Sequence, residues 1–187
     1  MVNKPKIAGT AVETAFVNYL KEAGFPYAER RSLQGALDKG DVTGCPGLVW
    51  ECKLARRGFQ LGPWLRETEA ERANASADYG ILIAKPNGLG ALSVGAWPAF
   101  MYLRDFMILQ ATATEKMLDL NPFLDWDVMQ VKNTLDLMWH LKGTRRQVRY
   151  CPPGQKLNIS NWHVGVQVRD MVELVRAAGY GEALEPE

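Results

Sequence analysis

The chain has 187 residues, 47% of them hydrophobic and 23% charged, with 22 Lys+Arg against 21 Asp+Glu for a formal net charge of +1. That apolar fraction supports a buried core in one domain, or one domain plus a small extension, and excludes an intrinsically disordered chain and a histone-like tail. Averaged over the chain, near-neutrality also speaks against nucleic acid as a partner. The distribution is uneven, however. Residues 1–60 carry a basic excess and residues 61–136 an acidic one. Residues 137–169 hold Lys142, Arg145, Arg146, Arg149, Lys156 and Arg169 with no acid, and residues 170–187 turn acidic again. Cys45, Cys52 and Cys151 are odd in number and lack paired spacing, unlike a secreted disulfide framework. Thr10, Glu13 and Asn18 interrupt the N-terminal apolar residues too early for a signal peptide. No apolar run approaches the roughly 18 residues of a membrane span, so no membrane partner is expected and the cytoplasm is the expected compartment.

In chain order, Thr10 to Ala23 places Val12, Ala15, Phe16, Tyr19 and Leu20 at helical spacing, with Thr10 as N-cap and Gly24 just past the end. Phe25 to Ala28 reads as extended and Arg30 to Gly40 as a loop. Asp41 to Thr43 is a short strand, Gly44 to Gly47 a hairpin turn, and Leu48 to Leu54 the next strand. A Glu-, Arg- and Ala-rich helix is expected over Pro63 to Ala77, then a buried strand at Tyr79 to Ala84. Ala91 to Ala96 suggests another strand and Ala99 to Gln110 another helix. Asn121-Pro122 breaks an irregular stretch. Helices are expected at Asp127 to Leu141 and at Val166 to Ala178, closed by Gly143 and Gly179. The order implies an α/β layered domain over residues 1–110, followed by a mainly helical extension over residues 111–187, of unassigned role and packed on the first domain or on a partner.

The chemistry concentrates in Gly40-Asp41-Val42-Thr43-Gly44 and Val49-Trp50-Glu51-Cys52-Lys53. Strand alternation puts Glu51 and Lys53 on one face and Trp50, Cys52 and Leu54 on the other. With Asp41 at the start of the neighbouring strand, its carboxylate lies beside Glu51. Two adjacent carboxylates repel unless neutralised, and a divalent cation such as Mg²⁺ (or Mn²⁺) is the usual partner. Such an ion acidifies water and offsets charge on a phosphodiester. Lys53 would then orient the attacking water, and the backbone carbonyl of Cys52 is a further candidate ligand.

Asp41 and Glu51-x-Lys53, ten positions apart, resemble the PD-(D/E)xK nuclease signature, and most nearly that of archaeal-type Holliday junction resolvases and their phage relatives. Gly9-Thr10-Ala11-Val12-Glu13 matches the Gly-x-x-x-Glu of their first helix. Ala23-Gly24-Phe25, Arg30-Arg31-Ser32 and Gly40-Asp41 occupy further shared places. The resemblance spans roughly residues 5–85. The chain departs from it in having Gly rather than Pro before Asp41, and Lys6 where an arginine is common. The resemblance implies a restriction-endonuclease-like mixed central sheet flanked by helices, and a Mg²⁺- or Mn²⁺-dependent endonuclease acting on branched DNA as a homodimer. Asp41 and Glu51 would hold the metal, with Glu13 as a third acid. Arg30, Arg31, Ser32, Arg56 and Arg57 would contact phosphates, with Lys6 at the N-terminus. Residues 111–187 have no counterpart in the resemblance. From their basic stretch Arg145, Arg146 and Arg149 are expected to extend the contact to a DNA arm, the extension otherwise serving dimerisation. A flap, restriction-like or repair nuclease with the same site, or a catalytically silent DNA-binding module, are the alternatives.

Plainer readings stand beside these. Thr10-x-x-Glu13 is also a capping box, in which Glu13 bonds only backbone. Asp38 reads as a solvated loop acid. His140, His163 and Cys151 lack zinc-ligand spacing, the tryptophans read as core or interface, and Gly88-Leu89-Gly90 lacks the Lys-Ser/Thr of a phosphate-cradling loop.

Overall fold

In the computed structural model of the protein, residues 4–32, 38–56, 58–113 and 162–182 are described, residues 4–6 by backbone alone. Helix α1 (Lys4–Glu22) starts six residues earlier than expected, so Thr10 sits inside it rather than at its cap. Its Val12, Phe16, Val17 and Leu20 are buried, each contributing about 1.5–3 kcal/mol relative to exposure. Gly24, at φ +93, turns the chain out of the helix.

Two short strands follow, β1 (Glu29–Arg30) and β2 (Val42–Thr43), paired antiparallel with Arg30 opposite Val42. The expected partner of β2 was the next strand, β3 (Leu48–Ala55). Instead β2 ladders with β1, and a single backbone bond, Asp41 N–H to the Trp50 carbonyl at 3.0 Å, ties the pair to β3.

From β3 the chain crosses through helix α2 (Leu61–Ala75) to β4 (Tyr79–Pro86). The crossover makes β3 and β4 parallel, with Glu51 opposite Leu82. The first six residues of β4 are all buried, as a strand covered on both faces requires. Residues 91–96, expected as a strand, form a 3-10 helix (Ala91–Ala96). Gly90, Ser93 and Gly95 deprive that stretch of the β-branched side chains that hold a strand. Pro98 then forces extended backbone, and Pro98–Tyr102 is strand β5 with alternating burial; only afterwards does helix α3 (Leu103–Ala113) begin.

The last described segment is also strand then helix: β6 (His163–Gln167) and α4 (Val168–Ala177), not one helix from Val166. The sheet order is β3-β4-β5-β6, with β5 antiparallel to both neighbours. Residues 162–182 thus supply the fourth strand of the sheet, and the expected division at residue 110 does not follow its connectivity. The helix expected over residues 127–141 lies outside the described residues.

One face of the sheet carries Trp50, Ile81, Ile83, Ala99, Met101 and Val166, packed with α1, the 3-10 helix, α3 and α4. Trp50 is fully buried, with Phe16 and Phe25 edge-on at ring-centroid distances of 5.2 and 6.4 Å. Helix α2 packs on β3 and β4, where Gly80 lies so close to Thr68 that an added Cβ would stand 3.2 Å from its backbone oxygen. The result is a mixed α/β fold with a four-stranded sheet flanked by helices. No described helix is long and apolar enough to cross a membrane.

Candidate functional site

Asp41 is placed by its backbone and its side chain together. Its N–H donates to the Trp50 carbonyl, its own carbonyl accepts from the Arg31 N–H at 2.8 Å, and its Oδ2 accepts from the Cys52 N–H at 2.8 Å. The carboxyl is thereby held at the free edge of β3, next to Glu51. The backbone N–H and C=O of one strand residue point to the same edge, so the Cys52 carbonyl shares the edge that carries Asp41. Gly40 sets the approach. It adopts φ +84, and a Cβ there would meet Val49 Cγ1 at 2.7 Å. Proline, locked near φ −65°, does not fit this backbone.

Glu51 and Lys53 share a face, as strand alternation requires. The Lys53 ammonium is 2.6 Å from Glu51 Oε1 and 2.9 Å from Glu67 Oε2 of α2. Burial, then the charge of Asp41, pushes the Glu51 carboxyl up to about 9, although Lys53 pulls the other way. Asp41 is also raised, first by burial and then by Glu13, against the lowering effect of the Cys52 N–H. Burial lowers the Lys53 pKa, but Glu51 and Glu67 outweigh it, and the ammonium stays charged.

The capping-box reading of Glu13 fails because α1 begins at Lys4. Glu13 instead accepts from Arg30 Nε at 2.9 Å, and its charge reaches Asp41. Arg30 is therefore engaged by an acid of the site, in a partly exposed pair worth about 0–1 kcal/mol. Arg31 lies against the β2 backbone with Nη2 3.4 Å from the Val42 carbonyl. It lines a groove with Thr43, Gly44, Pro46 and Ser76. Ser32 and Arg56 are exposed. The Lys6 side chain, Arg57, Arg145, Arg146 and Arg149 lie outside the described residues, as do His140 and Cys151. Trp97 is a core residue, as expected.

Sequence reasoning missed two acids. Glu67 and Glu71 of α2 each place a carboxylate oxygen with one of Glu51 in a group whose members all lie within 4.8 Å of one another. Their i, i+4 spacing, which puts both on one helix face, was the available signal. It needed the knowledge that this face covers β3. Glu71 is only 2% exposed, and burial, then the charge of Asp38, pushes it up to about 7. Asp38 itself is exposed, its Oδ1 accepting from the Gly40 N–H.

The donors fit a hard divalent cation: they are all oxygens, and several carboxyls crowd one buried spot with a single ammonium among them. Asp41 and Glu51 would hold such an ion, with the Cys52 carbonyl beside them and Glu13 within electrostatic reach. No family model, curated protein or solved structure matches this chain.

Proposed function

We propose that the protein is a divalent-metal-dependent DNA endonuclease with the restriction-endonuclease-like core its motif resembles, cleaving branched DNA, four-way junctions foremost. One observation carries the reading: the Asp41, Glu51 and Lys53 that the motif spaces along the chain converge at one strand edge, with Glu13 facing Asp41 from α1. The passage from α1 through three strands to α2 and a parallel β4 supports it at the level of the fold.

Asp41 and Glu51 would hold a divalent cation, which would supply Lewis-acid stabilisation to a phosphodiester and acidify water. The protein's own groups do the rest. Lys53, kept charged beside Glu51, donates a hydrogen bond to the attacking water or to the phosphate as its charge develops. Arg30, Arg31 and Arg56 hold backbone phosphates near the site, which is position-fixing contact without base reading. A symmetric dimer would present two such sites to opposed strands of a junction.

The test is incubation of the purified chain with labelled four-way junction, flap and linear duplex in Mg²⁺. Paired, symmetric nicks confined to the junction support resolvase action. Cutting of the flap or duplex alone moves the same site to a repair or restriction-like role. No cutting of any substrate in Mg²⁺ or Mn²⁺ leaves the silent DNA-binding module.

A further inference from the structure

The Glu71 carboxyl has no place in the reaction just described, yet its burial is costly. It is 2% exposed, and among the described residues its oxygens find no hydrogen-bond partner but the carboxyl of Glu51. Its polar neighbour is another carboxyl, that of Glu51. A buried carboxyl matched only by another carboxyl is strongly disfavoured as an anion. The cluster already draws one positive group, the Lys53 ammonium, but that group serves Glu51 and Glu67 and leaves Glu71 unmatched.

We infer that Glu71, with Glu51 and Glu67, forms a divalent-cation site between β3 and α2, on the helix side of the pair formed by Asp41 and Glu51. The ligand class is a hard, oxygen-preferring ion such as Mg²⁺ or Mn²⁺. Oxygens trans across an Mg²⁺ stand about 4.2 Å apart at most, given bonds of roughly 2.1 Å. The group within 4.8 Å therefore closes on an ion by side-chain rotation. Glu67, about half exposed, is free to make that rotation once its bond to Lys53 is given up. This site goes beyond the nuclease reading and needs no DNA.

Mn²⁺ titration of the full chain, followed by loss of the free-ion EPR signal, is the measurement. It is run on the wild type, Glu71→Gln, Glu67→Gln and Asp41→Asn. Glu71→Gln and Glu67→Gln are each expected to weaken binding by on the order of 10- to 100-fold, while Asp41→Asn keeps the component of binding they remove. Melting temperatures in chelator show that the variants fold; if Glu71→Gln does not, the half-exposed Glu67→Gln decides alone. Wild-type binding in both glutamate variants overturns the site and leaves Glu71 a protonated partner of Glu51. The two readings fail separately. Glu71-dependent Mn²⁺ binding with no DNA cleavage keeps the site and removes the nuclease; cleavage with Mn²⁺ binding indifferent to Glu71 and Glu67 does the reverse.

Discussion

At the residue scale, Gly40 and Trp50 show how the core and the site depend on each other. Gly40→Ala puts a side chain on a left-handed backbone against Val49 and is expected to cost about 1–3 kcal/mol, read as a lowered urea midpoint. It should also shift Asp41 and reduce cleavage beyond what stability explains. Trp50→Ala, one position from Glu51, removes a fully buried indole from between Phe16 and Phe25 and should cost about 3–5 kcal/mol. Ionisation adds a third prediction. Glu51 and Glu71 are raised to about 9 and about 7, so the folded state favours their protonated forms. Their contribution to stability is full below the ordinary carboxylate range near pH 4.5 and is lost as pH rises toward 9. In chelator, the urea midpoint of the wild type should fall across that window, and Glu71→Gln should flatten the part below about pH 7. An equal slope in both would contradict the assignment. The shared face of Glu51 and Lys53 was legible because alternation along a strand fixes faces without tertiary knowledge. Asp41 was expected there from a hairpin pairing of β2 with β3, and reaches Glu51 instead through its bonds to Trp50 and Cys52. Glu71 was not legible, since nothing local says which face of a charged helix is buried.

At the element scale, the parallel β3-α2-β4 unit positions Glu51 of β3 beneath α2, and Gly80 sets how closely the helix sits. Gly80→Ala would press on the Thr68 backbone and is expected to destabilise by about 1–3 kcal/mol. It should also weaken Mn²⁺ binding, because Glu67 and Glu71 flank Thr68 on the same helix; stability loss with unchanged Mn²⁺ affinity would separate helix packing from the ion site. The body of α1, by its helical spacing, and β4, by its continuous apolar run, were legible in the sequence. Residues 91–102 were not: small residues left 91–96 without a strand's side chains, and Pro98 with the alternation of Pro98–Tyr102 outweighed the helical look of Ala99 onward. His163–Gln167 likewise became a strand because β5 offers it a free edge, a fact no local pattern contains.

At the scale of the whole molecule, the sheet joins chain segments far apart in sequence. Val166, Val168, Met171, Val172 and Val175 enter the same core as Phe16 and Trp50. A chain cut after residue 110 should therefore lose cooperative unfolding by circular dichroism, whereas a self-sufficient domain there would keep it. The net charge of +1 is compatible with a DNA partner because acids cluster at the proposed metal site while arginines lie around it. Binding through few phosphate contacts should give a modest salt slope, about 0.9 per phosphate for duplex arms. The claim on which the whole account turns is that Asp41 and Lys53 perform phosphodiester hydrolysis. The most direct measurement compares Mg²⁺-dependent cleavage of a labelled four-way junction by the wild type, Asp41→Ala and Lys53→Ala at equal folded concentration. Nicking by the wild type that falls by about 10²–10⁴ in each variant is the predicted result. Nicking that survives both substitutions would contradict it.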